Sequence, residues 1–199
     1  CMKPARTSGE CQTTEKLIIA HRGASRGARE NTIESFEKAM LLGADMIEFD
    51  VRRTKDNVLI VFHDETIRGH SVKELTYQGI RQTGRDLGFD IPTAEEVLRW
   101  ARGKIKLDIE LKKEGYEKEI TDLLSGYFEE DQFVITSFND DSLKIVKERY
   151  PRIKTGLILG RDMPSYRILP RLQELFPGKR CKRAGADFLV AHMKLLQLG

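Results

Sequence analysis

Leu17-Ile-Ile-Ala-His-Arg-Gly23 is the stretch that decides the fold of this chain. Its apolar residues are typical of a buried strand, yet they end abruptly in an imidazole and a guanidinium. Folding alone gives little reason to place His21 and Arg22 at the tip of such a strand. Three later apolar stretches end in the same way, in Glu48-Phe-Asp50, in His63-Asp64 and in Glu110-Leu-Lys112. We therefore expect these four tips to meet at one site.

Apolar stretches alternate with amphipathic segments along the chain. The predicted strands cover residues 17–21, 46–53, 58–63, 105–111, 133–137, 155–159 and 187–191. Predicted helices begin near residues 31, 93, 116, 140 and 165, and the last one contains Pro170. This alternation predicts an α/β fold with a mainly parallel sheet. Because polar residues follow the strands and no Gly-rich phosphate loop is present, we favour a TIM-type (β/α)₈ barrel.

Local signals refine three connections. Asn31 and Glu34 are predicted to form the N-cap and capping box of the first helix, and Thr93 and Glu96 those of a later one. Residues 65–91 are rich in Gly, Arg and Thr, and we expect them to form a short irregular insertion on the active face.

A direct hairpin is predicted between the second and third strands. Only twelve residues separate Asp50 from His63, which is too few for a helical crossover. The turn residues Lys55-Asp-Asn57 predict a register in which Glu48 lies opposite His63.

Bulk composition indicates a single domain with one core. The chain has 199 residues, of which 40% are hydrophobic, and a formal net charge of +3 with basic and acidic residues mixed. That mixture argues against a nucleic-acid partner, and no apolar run is long enough for a transmembrane segment. We expect a polar N-terminal tail over residues 1–16 and a barrel domain over residues 17–199. The oligomeric state is left open.

Three cysteines bear on the cellular compartment. Cys1, Cys11 and Cys181 fit neither a disulfide framework nor a metal-binding spacing, which favours a reducing, cytoplasmic location. Cys1 in the first position is open to three interpretations: an expression artefact, a fragment of a longer chain, or the lipid-bearing cysteine of a lipid-anchored or secreted lipoprotein.

Carboxylates at the strand tips predict a metal site. Glu48 and Asp50 are two residues apart on a strand, so both point to one face, and Glu110 would add a third carboxylate. Hard oxygen ligands without cysteine or clustered histidine suit Mg²⁺ or Ca²⁺ rather than zinc. Acidic side chains inside apolar strands also require a compensating charge.

Two histidines and two cations complete the predicted site. His21 and His63 form an acid–base pair that can take a proton from a nucleophile and give one to a leaving group. Arg22 and Lys112 supply positive charge for an anionic substrate. Asp64 is expected either to orient His63 or to cap the following turn. Phosphoester chemistry fits this set of residues best.

The same segments resemble the glycerophosphodiester phosphodiesterase family, which are phosphatidylinositol-phospholipase-C-like phosphodiesterase barrels. The matching segments, in the family's order, are Ala20-His-Arg-Gly-Ala24, Glu30-Asn-Thr32, Ile47-Glu-Phe-Asp-Val51, Thr54-Lys-Asp56, Val61-Phe-His-Asp64, Ile91-Pro-Thr93, Ile109-Glu-Leu-Lys112 and Thr136-Ser-Phe138. The resemblance implies a TIM-type barrel, a divalent metal, and hydrolysis of small glycerophosphodiesters to an alcohol and sn-glycerol 3-phosphate. It also implies roles for individual residues: His21 and His63 are catalytic, Glu48, Asp50 and Glu110 bind the metal, Arg22 and Lys112 contact phosphate, and Glu30 lies beside the metal site.

The chain departs from the family pattern in three places. Arg29 stands where the family usually has proline, and the stretch after His63-Asp64 is shorter than usual. The chain also ends after the seventh predicted strand, so we expect a barrel that lacks its C-terminal strands and exposes two sheet edges. Two alternatives stay open at this point: a related phospholipase D- or C-like barrel that acts on intact lipids, and a truncated, inactive binding module.

Overall fold

The computed structural model describes residues 16–160 and 177–191. Almost all of the predicted tail and the predicted helix near residue 165 lie outside these residues. Strands in the described part are β1 (Ile19–His21), β2 (Met46–Arg53), β3 (Leu59–Val61), β4 (Thr66–Ile67), β5 (His70–Ser71), β6 (Lys106–Leu111), β7 (Phe133–Ser137), β8 (Lys154–Leu159) and β9 (Phe188–Ala191). Helices there are α1 (Ile33–Leu41), α2 (Tyr77–Asp86), α3 (Ala94–Ala101), α4 (Glu117–Tyr127), α5 (Asp140–Arg149) and α6 (Gly178–Ala184). The seven predicted strands all recur, with bounds shifted by at most two residues at either end.

A curled parallel sheet forms a half-barrel. Its strand order is β1-β2-β6-β7-β8-β9, every neighbouring pair is parallel, and β3 adds to β2 in the antiparallel direction. The prediction of an incomplete TIM-type barrel is therefore confirmed. Within the described residues β1 and β9 are the first and last strands of the parallel part of this sheet.

Alternation along the strands separates an apolar face from a polar one. Ile47, Phe49 and Val51 of β2 are fully buried in the core that the sheet shares with its helices. Burying an apolar side chain of this size contributes about 1.5–3 kcal/mol, so this face holds the half-barrel together. The residues between them, Glu48 and Asp50, point to the opposite face.

The β2–β3 hairpin has a different register from the one predicted. Val51 pairs with Val61, one residue out of the expected alignment, so the predicted pairing of Glu48 with His63 is wrong. Asn57 adopts a left-handed conformation (φ 62°), which is the third position of a three-residue hairpin loop. The prediction assumed a two-residue turn, and the extra residue shifts every pair.

The first helix begins one residue later than predicted. Thr32 is its N-cap, and Thr32 and Ser35 form the capping box, so the prediction of Asn31 with Glu34 is wrong. The prediction for α3 is confirmed, because Thr93 and Glu96 form its capping box.

Residues 65–91 are more regular than predicted. They contain the β4–β5 ribbon, a 3₁₀ turn (Val72–Glu74) and α2. Their apolar side chains pack with Ile60 and Phe62 in a second, smaller core, whose other buried members are Ile67, Val72, Ile80 and Ile91. Of the helices in the described part of the chain, none is both long and apolar enough to cross a membrane.

Candidate active site

Sheet register places polar side chains in two rows on the face that points away from the helices. The first row runs across β1, β2 and β6 and contains His21, Glu48 and Asp108. The second row contains Asp50 of β2, Glu110 of β6 and Thr136 of β7. Backbone pairing of adjacent strands therefore brings these groups together without help from the loops.

Three carboxylates from these two adjacent rows lie close together. Glu48, Asp50 and Glu110 are all buried, and their ligand atoms lie within 4.8 Å of one another. The structure thus brings together the three residues that the sequence predicted as metal ligands. Oε1 of Glu48 is buried without a hydrogen-bond partner among the described residues, although its other oxygen accepts a bond from the Arg22 backbone N–H at 2.9 Å.

Two cations compensate part of this negative charge. The Lys112 ammonium lies 2.8 Å from Asp50 Oδ1 and 2.5 Å from Glu110 Oε1, so it bridges two strands. The Arg22 guanidinium lies 3.1 Å from Asp50 Oδ2 through Nε and 3.3 Å from the Glu30 carboxylate through another nitrogen. Among the described residues no lysine or arginine side chain pairs with Glu48, and the His21 ring lies 4.0 Å from its carboxylate through Nε2. The site is therefore suited to a further positive charge.

Burial and charge move the acidic pKa values in different directions. Burial, with Asp50 close by, raises the pKa of Glu48 well above its usual value. Burial also raises the pKa of Glu110, against the opposing effect of Lys112. Burial alone would raise the pKa of Asp50, but Lys112, Asn31 and Arg22 together hold it below its usual value. Asp50 is thus the carboxylate that the protein itself keeps ionised.

Asn31 belongs to the site and was missed as a site residue in the sequence. Its amide Nδ2 donates to Asp50 Oδ2 at 2.7 Å, and its Oδ1 accepts a bond from the Asp50 backbone N–H at 3.3 Å. The sequence prediction used Asn31 as a helix cap. The neighbouring Thr32 and Ser35 fit a capping box equally well, and choosing them would have freed Asn31 for the site.

A tight turn after β1 holds His21 and Arg22 at its tip. Arg22 has a positive φ of 56° and Gly23 one of 79°. A Cβ added to Gly23 would meet Ser35 Oγ at 2.4 Å, so only glycine fits this contact with α1. The His21 side chain remains 68% exposed, and burial together with Arg22 lowers its pKa.

His63 is held in place through its neighbours. Its Nδ1 lies 2.8 Å from Asp64 Oδ1, and its backbone carbonyl accepts a hydrogen bond from Arg52 Nε at 2.8 Å. The preceding N–H, of Phe62, donates to the backbone oxygen of Asp50 at 3.0 Å. His63 is therefore the neighbour in sequence of Phe62, whose backbone is bonded to that of the candidate ligand Asp50. His63 itself does not lie opposite Glu48.

Asp108 is a buried acid with a separate environment. Thr136 Oγ1 donates to its Oδ1 at 2.8 Å. Burial nevertheless raises the pKa of Asp108 to about 7. Neither the Arg22 guanidinium nor the Lys112 ammonium pairs with its carboxyl group, whereas both pair with Asp50.

Comparisons with known proteins show the family to which this chain belongs. Residues 21–176 match the glycerophosphoryl diester phosphodiesterase family. A glycerophosphodiester phosphodiesterase of Caldanaerobacter subterraneus subsp. tengcongensis is 39% identical over 199 aligned residues, covering 85% of this chain and 82% of that protein. The crystal structure of a glycerophosphodiester phosphodiesterase from Parabacteroides distasonis is similar with a TM-score of 0.74 at 28% identity, covering 92% of this chain and 75% of that one. A phosphodiesterase from Oleispira antarctica, solved in complex with its product sn-glycerol-3-phosphate, has the same fold, with a TM-score of 0.71 at 23% identity over 90% of this chain and 76% of that one.

Proposed function

Because the chain belongs to the glycerophosphoryl diester phosphodiesterase family, we propose that it hydrolyses small glycerophosphodiesters to an alcohol and sn-glycerol 3-phosphate. The enzyme class rests on the family match and on 39% identity to a relative of that name. The observation that carries the proposal is the convergence of Glu48, Asp50 and Glu110 within 4.8 Å on two adjacent strands.

A divalent cation fits the donor set. Glu48, Asp50 and Glu110 would hold it, and the buried, unpartnered Oε1 of Glu48 supports this assignment because such an atom needs a positive partner. All three donors are carboxylate oxygens, which favours Mg²⁺ or Ca²⁺. When bound, the ion would offset charge that develops on the phosphate oxygens. Asn31 would keep Asp50 oriented as a ligand.

His21 and His63 are proposed as the acid–base pair. A lowered pKa favours the neutral form of the His21 imidazole, and its exposed ring can accept the proton of a substrate hydroxyl or a water. With water as the nucleophile, its oxygen forms a bond to phosphorus while the bond to the leaving alcohol breaks. With a substrate hydroxyl, the same exchange gives a cyclic phosphate, which water then opens to sn-glycerol 3-phosphate. His63 would protonate the departing oxygen through Nε2, because its Nδ1 is occupied by Asp64.

Arg22 and Lys112 are proposed to contact the phosphate. Both are fixed before substrate arrives, Arg22 by Glu30 and Asp50, and Lys112 by Asp50 and Glu110. Preorganised cations of this kind stabilise a negatively charged transition state without reorganising during the reaction.

Hydrolysis of an intact lipid is less well supported. Such an enzyme would present apolar side chains at the barrel mouth, where residues 65–91 offer Leu75, Tyr77, Ile80, Leu87 and Phe89. Four of these five pack into the second core, and Leu87 alone is largely exposed, at 45%. The short insertion therefore favours a small soluble diester. The cytoplasmic location and the barrel-domain bounds of 17–199 stay predictions.

The test measures release of sn-glycerol 3-phosphate from glycerophosphoethanolamine with Mg²⁺ or Ca²⁺ and with excess chelator. We expect activity only with the cation, and Glu110→Gln to lower kcat/KM by about 100-fold or more. Glu148→Gln, which changes an exposed carboxylate on α5, is the matched control. His21→Ala and His63→Ala should each lower kcat by about 10² to 10⁴ while calorimetric metal binding persists. Full activity in chelator would refute the metal assignment, and near-normal rates would refute the acid–base pair.

A further inference from the structure

A polar cavity adjoins the candidate active site on the side of the insertion. Its volume is about 270 Å³, and it lies between the end of β2, the loop that follows β6 and the segment around β5. Its charged lining residues are Arg52, Arg53, Lys73, Lys113, Glu65 and Glu114. None of these has a part in the chemistry proposed above, yet Lys113 directly follows Lys112 in the chain.

Arg52 joins this cavity to the carboxylate cluster. It stands two residues after Asp50 on β2, so its side chain emerges on the same face of the sheet. At about 3.3 Å per residue, it lies roughly 7 Å beyond the candidate ligand along the strand. A phosphodiester held at the cluster would therefore direct one of its two alcohol groups towards Arg52.

Four of the six charged residues that line the cavity are basic, and two of these four form no close ion pair among the described residues. Lys113 pairs with Glu65 at 3.1 Å, and Arg53 pairs with Glu119 at 3.5 Å. Arg52 donates through Nε to the backbone oxygen of His63, but neither it nor Lys73 forms an ion pair within the described part of the chain. Burial lowers the pKa of Arg52, although the nearby carboxylates of Glu65, Asp50 and Asp64 oppose this shift.

We propose that this cavity, with Arg52 and Lys73, binds an anionic group on the leaving alcohol, so that the enzyme prefers glycerophosphodiesters whose head group carries a carboxylate or a phosphate. A planar guanidinium held by one nitrogen leaves its other nitrogens to grip such a group. The ammonium of a choline or ethanolamine head group would meet like charge there. This inference rests on the proposed hydrolysis and adds the class of substrate.

The experiment compares diesters that differ by one charged group. kcat/KM is measured with Mg²⁺ for glycerophosphoserine and glycerophosphoethanolamine, which differ by a carboxylate. A second pair, glycerophosphoinositol and glycerophosphoinositol 4-phosphate, differs by a phosphate and shows which anion is preferred. A charge-assisted contact should give a preference of about tenfold or more in at least one pair. Equal values in both pairs would overturn the inference.

Variants assign the preference to the cavity. Arg52→Gln and Lys73→Gln should each lower the ratio between the two members of the preferred pair towards one. Lys106→Gln removes the same charge at the exposed opposite end of β6 and should leave the ratio unchanged. Because Arg52 also holds His63, an equal loss on both diesters with an unchanged ratio would make it a positioning residue only and overturn its role here.

Failure of hydrolysis can be told apart from failure of the inference. Turnover of glycerophosphoethanolamine without any preference would leave the proposed function intact and refute the anion site. If no diester is hydrolysed, the affinities of the wild-type protein and Lys73→Gln for glycerophosphoserine and glycerophosphoethanolamine are measured by calorimetry. Tighter binding of the serine diester that is lost in the variant supports the site, and equal affinities refute it.

Discussion

Asp108 offers a direct test of the electrostatics of this site. Its carboxyl group is buried on β6, accepts one hydrogen bond from Thr136 and takes no part in the proposed reaction. Asp108→Asn keeps the shape of the side chain and the oxygen that accepts this bond. The variant removes the ionisation of a group whose pKa is raised from 3.8 to about 7, and it places an amide NH2 where the acid has its second oxygen.

The sign and size of the effect follow from proton linkage. Between about pH 4 and pH 7 the native protein keeps the Asp108 proton while the unfolded chain has lost it, so the free energy of unfolding falls as pH rises. A pKa shift of about three units corresponds to about 4 kcal/mol at pH values above 7. Since Asp108→Asn escapes this loss, it should be more stable than the wild-type protein by up to that amount at pH 8. The two proteins should be nearly equal at pH 4.

The assay is urea denaturation in the presence of chelator at several pH values from about 4 to 8. Asp131→Asn, in an exposed loop, controls for the change in net charge and should follow the wild-type profile. Parallel pH profiles for the wild-type protein and Asp108→Asn would refute the reasoning, because they would mean that Asp108 titrates alike in the folded and unfolded chains.

Two further predictions each compare two variants at positions where the backbone has a positive φ. Asn31→Ala should weaken Mg²⁺ or Ca²⁺ binding by about 10- to 100-fold in calorimetric titration, because Asp50 loses its orienting amide. Asn57→Ala, at a similar φ of 62° against 59°, should leave the affinity unchanged, and equal affinities for both variants would contradict the role of Asn31. Gly23→Ala should cost about 2 kcal/mol more in urea denaturation than Gly103→Ala, because both have positive φ but only the Cβ at Gly23 meets a serine hydroxyl at 2.4 Å. Similar losses of stability in the two alanine variants would show that this contact relaxes freely.

The sequence was sufficient to predict the carboxylate cluster because two simple rules fix it. Side chains two residues apart on a strand share a face, which places Glu48 with Asp50. Adjacent parallel strands end at the same edge of a sheet, which brings Glu110 to them. The apolar residues that alternate with these acids indicated where β2 begins and ends. In the structure β2 spans Met46–Arg53, as predicted.

Features that depend on competition between similar local signals were not predictable. The hairpin register depended on whether Asn57 would adopt a left-handed conformation, and a two-residue turn was an equally simple alternative. The cap of α1 depended on a choice between Asn31 and Thr32, which only the contact of Asn31 with Asp50 decides.

The helix α2 was missed for a different reason. It is polar, contains two glycines and buries little besides Ile80. Gly84 sits against Ile91, where an added Cβ would meet side-chain and backbone atoms at about 3.0 Å. This helix exists because tertiary packing stabilises it, and its own helix propensity is low.

Asp50 of β2 pairs directly with Glu110 of β6. The alignment of these two strands therefore determines both whether the core forms and whether the carboxylates come together. A slip of one residue between β2 and β6 would turn the acids of one strand towards the helices and the apolar residues towards the cluster. A misregistered molecule would therefore lose its core and its reaction centre in the same event. Selection for catalytic turnover in such an enzyme therefore also selects for sequences in which β2 and β6 pair in a single register.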